Sequence, residues 1–219
     1  MRVRTYEEFL GVLNGLGFLL FGGGSTGMLK LSDITDPGAW FQGGADDPWD
    51  WRNRLCENRD GVYARALGGQ PFLISWEWYP KFLAAYRQCE DLEDRYEAGE
   101  VSGAVWRMYQ LFEEEHALAR HELTKHFSKA EVAKGLNLLQ REMYITISGE
   151  VQKLSADFRP VGWPSMEYTR VEDWAADALA EAEELDGREM RREIRRRAGE
   201  ISPGADREAL NRLFEEWSV

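Results

Sequence analysis

The chain has 219 residues, of which 43% are apolar, and its formal net charge at pH 7 is −12. This length allows one large domain or two small ones, and the apolar fraction is sufficient for a sizeable core. The strong negative charge counts against nonspecific nucleic-acid binding, because such binding depends on a basic surface that neutralises phosphates. The 9 tryptophans are many for this length and indicate either an aromatic core or a stacking pocket.

Cysteine usage and the N-terminal segment indicate the compartment. Cys56 and Cys89 are the only cysteines, and two thiols without a disulfide framework are typical of a reducing cytosol. The apolar run within residues 10–21 superficially resembles a signal peptide, but Glu8 lies just before it and Asn14 interrupts it. No apolar stretch is long enough to span a bilayer. We therefore expect a cytoplasmic protein with no membrane partner.

The N-terminal region is predicted to combine a helix with short strands. A capping box at Thr5 and Glu8 predicts a helix that ends at Gly17. A short apolar run follows, and then a glycine run without the Gly-Lys-Ser/Thr ending of a phosphate loop. Further along, residues 62–67 and 71–75 have the composition of two strands around a Gly-Gly pair.

A segment with the sequence Asp-Asp-Pro-Trp-Asp-Trp-Arg begins at Asp46 and is the densest cluster of chemically capable groups. One hypothesis is a pocket in which Asp46 or Asp47 acts as an acid or base, with a pKa raised by its surroundings. The pocket would be lined by Trp49, Trp51 and Arg52. The other hypothesis is a structural turn, in which Asp47 caps a helix that begins with the following proline and the tryptophans are core. Helix starts of this kind are common, so we favour the turn and regard both aspartates as weak catalytic candidates.

The acidic, polar segment from Asp91 to Gly99 favours a boundary between two halves of the chain. We therefore expect an N-terminal α/β region rich in tryptophan, a second unit built on a helix-turn-helix, and C-terminal helices packed on that second unit. The expected bounds of these three parts are 1–95, 100–170 and 171–219.

The helix-turn-helix is predicted from two consecutive segments, Ala117–Phe127 and Lys129–Tyr144. The second segment opens with a capping box, in which the Ser128 hydroxyl accepts from a backbone amide and Glu131 reaches back. Apolar residues then recur at the spacing of one helix face, which predicts a buried stripe. The stripe consists of Val132, Leu136, Leu139 and Met143.

The opposite face of this second helix is polar and is the candidate nucleic-acid interface. Lysine and arginine can reach phosphates or guanine, and asparagine can bond adenine with two hydrogen bonds. The candidate residues are Lys129, Lys134, Asn137, Gln140 and Arg141. Residues 116–150 hold five lysines and arginines against four glutamates, so this is the less acidic part of an acidic protein. The alternative is a plain solvent face used for packing or for contact with a protein.

The segment after the helix-turn-helix completes the predicted fold. Residues 144–147 are β-branched and too short for another helix, and residues 161–168 are the expected second strand of a wing. A third helix that runs into a strand, with another strand later, is the winged-helix pattern. The expected fold class is α+β, mostly α, with a winged helix (a helix-turn-helix plus short wing strands) and tandem winged-helix-like units.

Three histidines and an arginine-rich segment are the remaining candidates for metal and phosphate binding. His116, His121 and His126 are spaced by five, which separates successive rings by about 140° on a helix, so they cannot share a metal on one face. We expect no metal and no cofactor. The arginine-rich segment 188–197 could bind phosphate, but the seven acidic residues within 172–186 favour a solvated face with balanced charges.

Four segments carry a family resemblance over nearly the whole chain. They are residues 46–52, 72–80, 138–144 and the wing up to 162–163. On these segments the chain resembles the AlkZ-related proteins, which belong to the winged-helix group that includes the AlkZ-type DNA glycosylases. Those glycosylases unhook DNA crosslinks. The resemblance implies a winged-helix fold and double-stranded DNA as a partner to be considered.

The departures from the glycosylases concern their catalytic residues. The glycosylases carry a polar pair, Gln-x-Asp or Gln-x-Gln, just after an N-terminal Leu-Gly-Leu-Leu turn. The equivalent positions here are Leu20 and Gly22, which can neither orient water nor oppose positive charge. Their Trp-Ala-His-Glu-Ala segment is also replaced, by Leu-Gly-Gly-Gln-Pro at 67–71. These departures therefore favour a protein without enzymatic activity.

Three functions stay open on the sequence. The first is a noncatalytic winged-helix protein that binds DNA or a regulator. The second is a DNA N-glycosylase for base-excision repair that uses Asp46 or Asp47 in place of the missing pair. The third is a protein-interaction scaffold without nucleic acid. A basic surface formed by Lys134, Arg141 and wing residues would separate the first from the third, and a deep pocket with an inward aspartate would favour the second.

Overall fold

The computed structural model describes residues 2–23 and 27–215. Helices predominate and the described strands form small antiparallel sheets, which confirms the predicted α+β class. The elements in chain order are α1 (Tyr6–Leu16), β1 (Phe18–Leu20), α2 (Leu31–Ile34), α3 (Pro48–Glu57), β2 (Val62–Ala64), β3 (Phe72–Ile74), α4 (Tyr79–Tyr86), α5 (Leu92–Glu97), α6 (Gly103–Glu115), β4 (Ala117–Ala119), α7 (Arg120–Leu123), α8 (Lys129–Arg141), β5 (Ile145–Val151), β6 (Ser165–Arg170), α9 (Val171–Trp174), α10 (Ala176–Glu183), α11 (Gly187–Ile201) and α12 (Arg207–Glu215).

Contacts divide the chain into two compact units. Unit 1 comprises Met1–Arg87 together with Asp177–Val219, and unit 2 comprises Gln88–Ala176. Within unit 1, α11 packs on α4 and α12 packs on α11. These contacts join the two ends of the chain, whereas the sequence suggests that residues 171–219 pack on the 100–170 region.

The first helix of unit 1 forms as its capping signals predict. The Thr5 hydroxyl accepts a hydrogen bond from the Glu8 amide at 3.2 Å. At the other end, Gly17 has φ of +89° and its amide donates to the Leu13 carbonyl at 2.7 Å. A side chain at Gly17 would also lie 2.5 Å from the Trp78 indole, so only glycine fits this position.

Unit 1 contains a three-stranded antiparallel sheet in the order β1-β3-β2. All residues of its three strands are buried, and the rings of Phe18 and Phe72 in the sheet pack against the ring of Phe82 in α4. The predicted strands within 62–67 and 71–75 are therefore present, although each is only three residues long. The buried run after Gly17 forms the third strand.

Unit 2 contains a second three-stranded antiparallel sheet, in the order β4-β6-β5. The helices α6 and α8 contact each other, and α8 contacts β5. The predicted stripe of α8 is buried, with Val132, Leu136 and Leu139 each at most 2% exposed. The helix ends earlier than predicted, at Arg141, because Met143 adopts a left-handed conformation with φ of +59°.

The helix predicted over Ala117–Phe127 is wrong. His116 has φ of +61° and ends α6, so the chain leaves the helix before Ala117. Ala117–Ala119 then pairs with β6, and only the single turn α7 is helical in the rest of the segment. The expected wing strand at 161–168 is also shifted, since β6 begins at Ser165.

The two units repeat the same order of elements. Unit 1 runs α1-β1-α2-α3-β2-β3 and unit 2 runs α6-β4-α7-α8-β5-β6. In each sheet the last of the three strands lies between the other two. The helix α3 therefore occupies in unit 1 the place that α8 occupies in unit 2, which allows their exposed faces to be compared.

Candidate nucleic-acid interface and aspartate turn

The polar face of α8 begins at a well-formed helix start. The Glu131 amide donates to the Ser128 hydroxyl at 3.3 Å, and the Ser128 amide donates to a carboxylate oxygen of Glu131 at 2.9 Å. This capping box holds the first turn of α8, as predicted. Of the five candidate residues, three have exposed side chains on this helix: Lys129, Lys134 and Asn137.

The other two candidates differ in their accessibility. Arg141 is half-buried at the end of α8, with a guanidinium nitrogen 4.0 Å from Glu142. Gln140 is only 7% exposed and its amide nitrogen donates to the Leu136 carbonyl at 2.8 Å, so it does not lie on the surface of α8. The burial of Gln140 could be predicted from its position, since it lies four residues after the buried Leu136 and therefore on the same face of the helix.

A polar network fixes the C-terminal end of α8. The Arg95 guanidinium lies 2.6 Å from the Glu142 carboxylate and also donates to the Tyr144 hydroxyl at 3.2 Å. That hydroxyl donates to the Glu90 carbonyl at 2.7 Å. Burial acts to lower the pKa of Arg95, but the hydrogen bonds with Glu142, Tyr144 and Glu100 outweigh it and raise the pKa. Sequence reasoning missed this network, because it considered residues 91–99 only as a boundary.

The loop between β5 and β6 exposes a group of large side chains. Phe158 and Trp163 are each 83% exposed, which is unusual for aromatic residues of this size. Leu154 and Val161 are also exposed, and two cations, Lys153 and Arg159, lie on the same loop. Clustered exposed apolar side chains commonly mark an interaction site.

In unit 1, Asp47 acts as a structural cap at the start of α3. Its side chain is 3% exposed and accepts hydrogen bonds from the amides of Trp49 at 2.9 Å, Gly43 at 2.8 Å and Phe41 at 3.1 Å. Burial acts to raise the pKa of Asp47, but these backbone hydrogen bonds outweigh it and lower the pKa. Asp47 is therefore an ionised cap, and the neighbouring Asp46 is exposed to solvent.

Of the side chains expected to line a pocket, Trp51 and Arg52 are instead packed in the interior of unit 1, whereas Trp49 is half-buried. Trp51 is 1% exposed, with its ring stacked on Phe9 at a centroid distance of 5.3 Å. Arg52 is 6% exposed, and its guanidinium carbon lies 3.7 Å from the centre of the Trp49 ring. The Arg52 Nε donates to Asn53 at 3.2 Å. The helix α3 thus buries Arg52 and Asn53, whereas α8 exposes Lys134 and Asn137. The second arginine of α3, Arg54, is half-buried and pairs with Glu7 at 3.3 Å.

The positions equivalent to the glycosylase polar pair lie at the edge of β1. Leu20 is 1% exposed and pairs with Phe72 in the sheet, so its side chain is part of the core. Gly22 lies two residues further, and a Cβ added there would meet nothing within 4 Å. There is therefore room for a side chain at Gly22, but the sequence places no polar group at either position.

Residues 2–23 and 27–215 contain neither a metal cluster nor a membrane-spanning helix. In this part of the chain, no group of three or more histidine, cysteine, aspartate or glutamate residues is arranged to hold a metal ion. None of the helices there is both long enough and apolar enough to cross a membrane.

Comparisons with known proteins identify the lineage of the chain. No curated protein and no solved structure gave a match. A protein-family model described as "AlkZ related" matches residues 3–215, which is nearly the whole chain and includes both units. The family resemblance drawn from the sequence is thereby confirmed, and the chain belongs to the AlkZ-related family.

Proposed function

We propose that this protein is a noncatalytic tandem winged-helix protein that binds double-stranded DNA through the exposed face of α8. The observation that carries the proposal is the pairing of two features within unit 2. One is the polar face of α8, with Lys129, Lys134 and Asn137 exposed. The other is the β5–β6 loop with its exposed cations and aromatic rings.

The order of elements supports the winged-helix assignment. A winged helix has a first helix, a strand, two more helices and then a two-stranded hairpin that forms the wing. The element order and the strand order of unit 2 match this description, with α8 as the third helix and the β5–β6 loop as the tip of the wing. Unit 1 has the same order, which supports a tandem arrangement.

The third helix of unit 2 is the better candidate for contact with DNA. Recognition helices present polar side chains to the major groove, and phosphate contacts position the protein on the duplex. On α8, Lys134 and Asn137 lie one helical turn apart and are exposed. On α3, Arg52 and Asn53 are buried, and Arg54 is engaged in an ion pair with Glu7. We therefore assign the contact to unit 2.

The noncatalytic part of the proposal rests on charge. Cleavage of an N-glycosidic bond develops positive charge on the sugar, and an attacking water must be held beside it. Leu20 and Gly22 provide neither function, and Asp47 is already engaged by three backbone amides. Asp47 is also only 3% exposed, so its position does not favour contact with an attacking water.

The test is a salt titration of binding to a fluorescent 20-base-pair duplex. Each phosphate contact contributes about 0.9 to the slope of log affinity against log salt. The double variant Lys129→Gln, Lys134→Gln should therefore reduce the slope by about 2. Asn137→Ala should change the preference among duplex sequences and leave the slope unchanged, because a base contact carries no counterion release.

The matched control removes the same charge from another exposed site. Arg2 and Arg4 are exposed residues of unit 1, and the double variant Arg2→Gln, Arg4→Gln lowers the net charge equally. If this control and the α8 variant reduce the slope by the same amount, binding reflects net charge alone and the assignment to α8 is wrong. If the wild-type protein shows no salt-dependent binding, the DNA-binding proposal is wrong.

A further inference from the structure

The helix α11 in unit 1 carries six arginines, and the structure separates them by role. The Arg191 Nε donates to the Ala85 carbonyl at 2.6 Å, near the C-terminal end of α4. The Arg197 Nε donates to the Leu16 carbonyl at 2.9 Å, at the C-terminal end of α1. Two arginines thus bind carbonyls that a helix leaves unsatisfied, where the helix dipole also favours a cation.

The glutamates of α11 are partly engaged as well. Glu193 forms an ion pair with Lys81 of α4 at 2.8 Å. Glu200 pairs with two arginines at the end of the helix, Arg196 and Arg197. The ion pair with Lys81 holds α11 on α4. The pairs of Glu200 lie within α11, and one of them balances Arg196.

Three of the arginines are exposed and lie four residues apart, at Arg188, Arg192 and Arg196. We refer to these three side chains as the arginine ridge. Residues spaced by four are neighbours on a helix surface, so the three cations form one line with a rise of about 6 Å between them. Within residues 2–23 and 27–215, neither Arg188 nor Arg192 has an ion pair or a hydrogen bond through its side chain.

Local physics disfavours this arrangement. Like charges four residues apart on a helix repel each other and destabilise it. Arg188 also lies in the first turn of α11, where the helix dipole favours an acidic residue. The sequence favours a solvated face with balanced charges in this region, and on such a face positive and negative side chains would alternate. The ridge instead places three positive charges in one line, of which only Arg196 is paired within the described part of the chain, with Glu200 at the next position of that line, in a protein whose net charge is −12.

We propose that the arginine ridge binds consecutive phosphates of a nucleic-acid backbone. This inference rests on the proposed function and adds unit 1 as a second surface for the same partner. A guanidinium bonds a phosphate through two parallel N–H groups, which gives arginine an advantage over lysine at such a site. A duplex presents one negative charge per about 1.7 Å of axis, so several phosphates are within reach of the ridge.

The surface beside the ridge is open to a close approach. Gly199 lies on the same face of α11, and a Cβ added there would meet nothing within 4 Å. Because Gly199 has no side chain, a nucleic-acid backbone would have space to lie along this face of α11.

The experiment compares variants in the same salt titration with duplex DNA. The triple variant Arg188→Gln, Arg192→Gln, Arg196→Gln should reduce the salt slope by about 2–3, at about 0.9 per phosphate contact. Its thermal unfolding midpoint should stay close to that of the wild type, because removal of the repulsive line of charges offsets the loss of the exposed Arg196–Glu200 ion pair. The matched control is Arg2→Gln, Arg4→Gln, Arg65→Gln, which removes three exposed positive charges elsewhere in unit 1.

The outcomes separate this inference from the proposed function. A slope that falls for the ridge variant and not for the Lys129 and Lys134 variant supports the ridge and contradicts the assignment to α8. The reverse result overturns the ridge and leaves the assignment to α8 intact. A ridge variant that matches its control also overturns the ridge. A second titration uses poly-glutamate: if the ridge variant loses binding to this polymer and not to DNA, the ridge serves an acidic protein and the nucleic-acid inference is wrong.

Discussion

Replacement of Asp47 by alanine tests whether the aspartate turn is structural or catalytic. In the folded protein, Asp47 is buried and its carboxylate accepts from the amides of Phe41, Gly43 and Trp49. Alanine removes all three hydrogen bonds together. The Trp49 amide loses its helix cap, and the loop at 41–44 loses the group that holds it against α3.

The expected loss of unfolding free energy is about 3 kcal/mol. Loss of an N-cap side chain costs about 1 kcal/mol. Each hydrogen bond to a charged group contributes about 1.5–3 kcal/mol, and Asp47 makes two beyond the cap. The loop at 41–44 is exposed, so water can hydrogen-bond to the amides that Asp47 no longer binds. The expected loss is therefore smaller than the sum of these contributions.

The assay is denaturant unfolding followed by tryptophan fluorescence, with Asp46→Ala as the matched control. Asp46 is the preceding residue, has the same side chain and is exposed. Its replacement should change the free energy of unfolding by less than about 0.5 kcal/mol. Equal losses for the two variants would refute the structural role assigned to Asp47.

The pH dependence follows from the direction of the pKa shift. The folded-state pKa of Asp47 is lowered, so its carboxylate stabilises the fold fully above the unfolded pKa, and that contribution is lost as pH falls through the folded pKa. The stability difference between wild type and Asp47→Asn should therefore be largest near neutral pH and shrink below about pH 4. A difference that grows on acidification would contradict the hydrogen-bonding account.

Three other predictions can be tested with the same preparations. Leu139→Ala should lower the free energy of unfolding by about 2–5 kcal/mol, because it leaves a cavity at a buried position. Lys134→Ala should leave the free energy of unfolding almost unchanged. Equal losses for the two variants in denaturant unfolding would refute the assignment of the buried and exposed faces of α8. Gly17→Ala should destabilise unit 1 by at least about 1–3 kcal/mol, because alanine must adopt a positive φ and its Cβ would clash with the Trp78 indole. A variant of unchanged stability would show that the C-terminal end of α1 can rearrange. Incubation of the protein with crosslinked or alkylated duplex should produce no abasic sites above background, because loss of even one group that stabilises the transition state costs roughly 10²–10³ in rate. Turnover that is abolished by Asp47→Asn would show that the catalytic group lies at the aspartate turn.

Sequence determined the elements whose signals are local. The helix starts at Thr5, Asp47 and Ser128 were predictable because a cap and its amide partners lie within three residues of each other. The buried stripe of α8 was predictable because helix periodicity depends on neighbouring residues alone. Three of the five candidate interface residues are exposed for the same reason. The burial of Arg52, by contrast, could not be predicted, because it depends on the Phe21 ring from another segment as well as on Trp49 of its own helix.

Tertiary structure decided the features that depend on distant partners. Ala117–Ala119 is a strand because β6, about fifty residues later, supplies its hydrogen bonds, and no signal within the segment announces that pairing. The ends of the chain form one unit because α11 packs on α4 and its arginines bind the carbonyl ends of α1 and α4. The arginine block therefore has two roles, which its sequence alone cannot separate. Which arginines are exposed depends on the helices that cover the others.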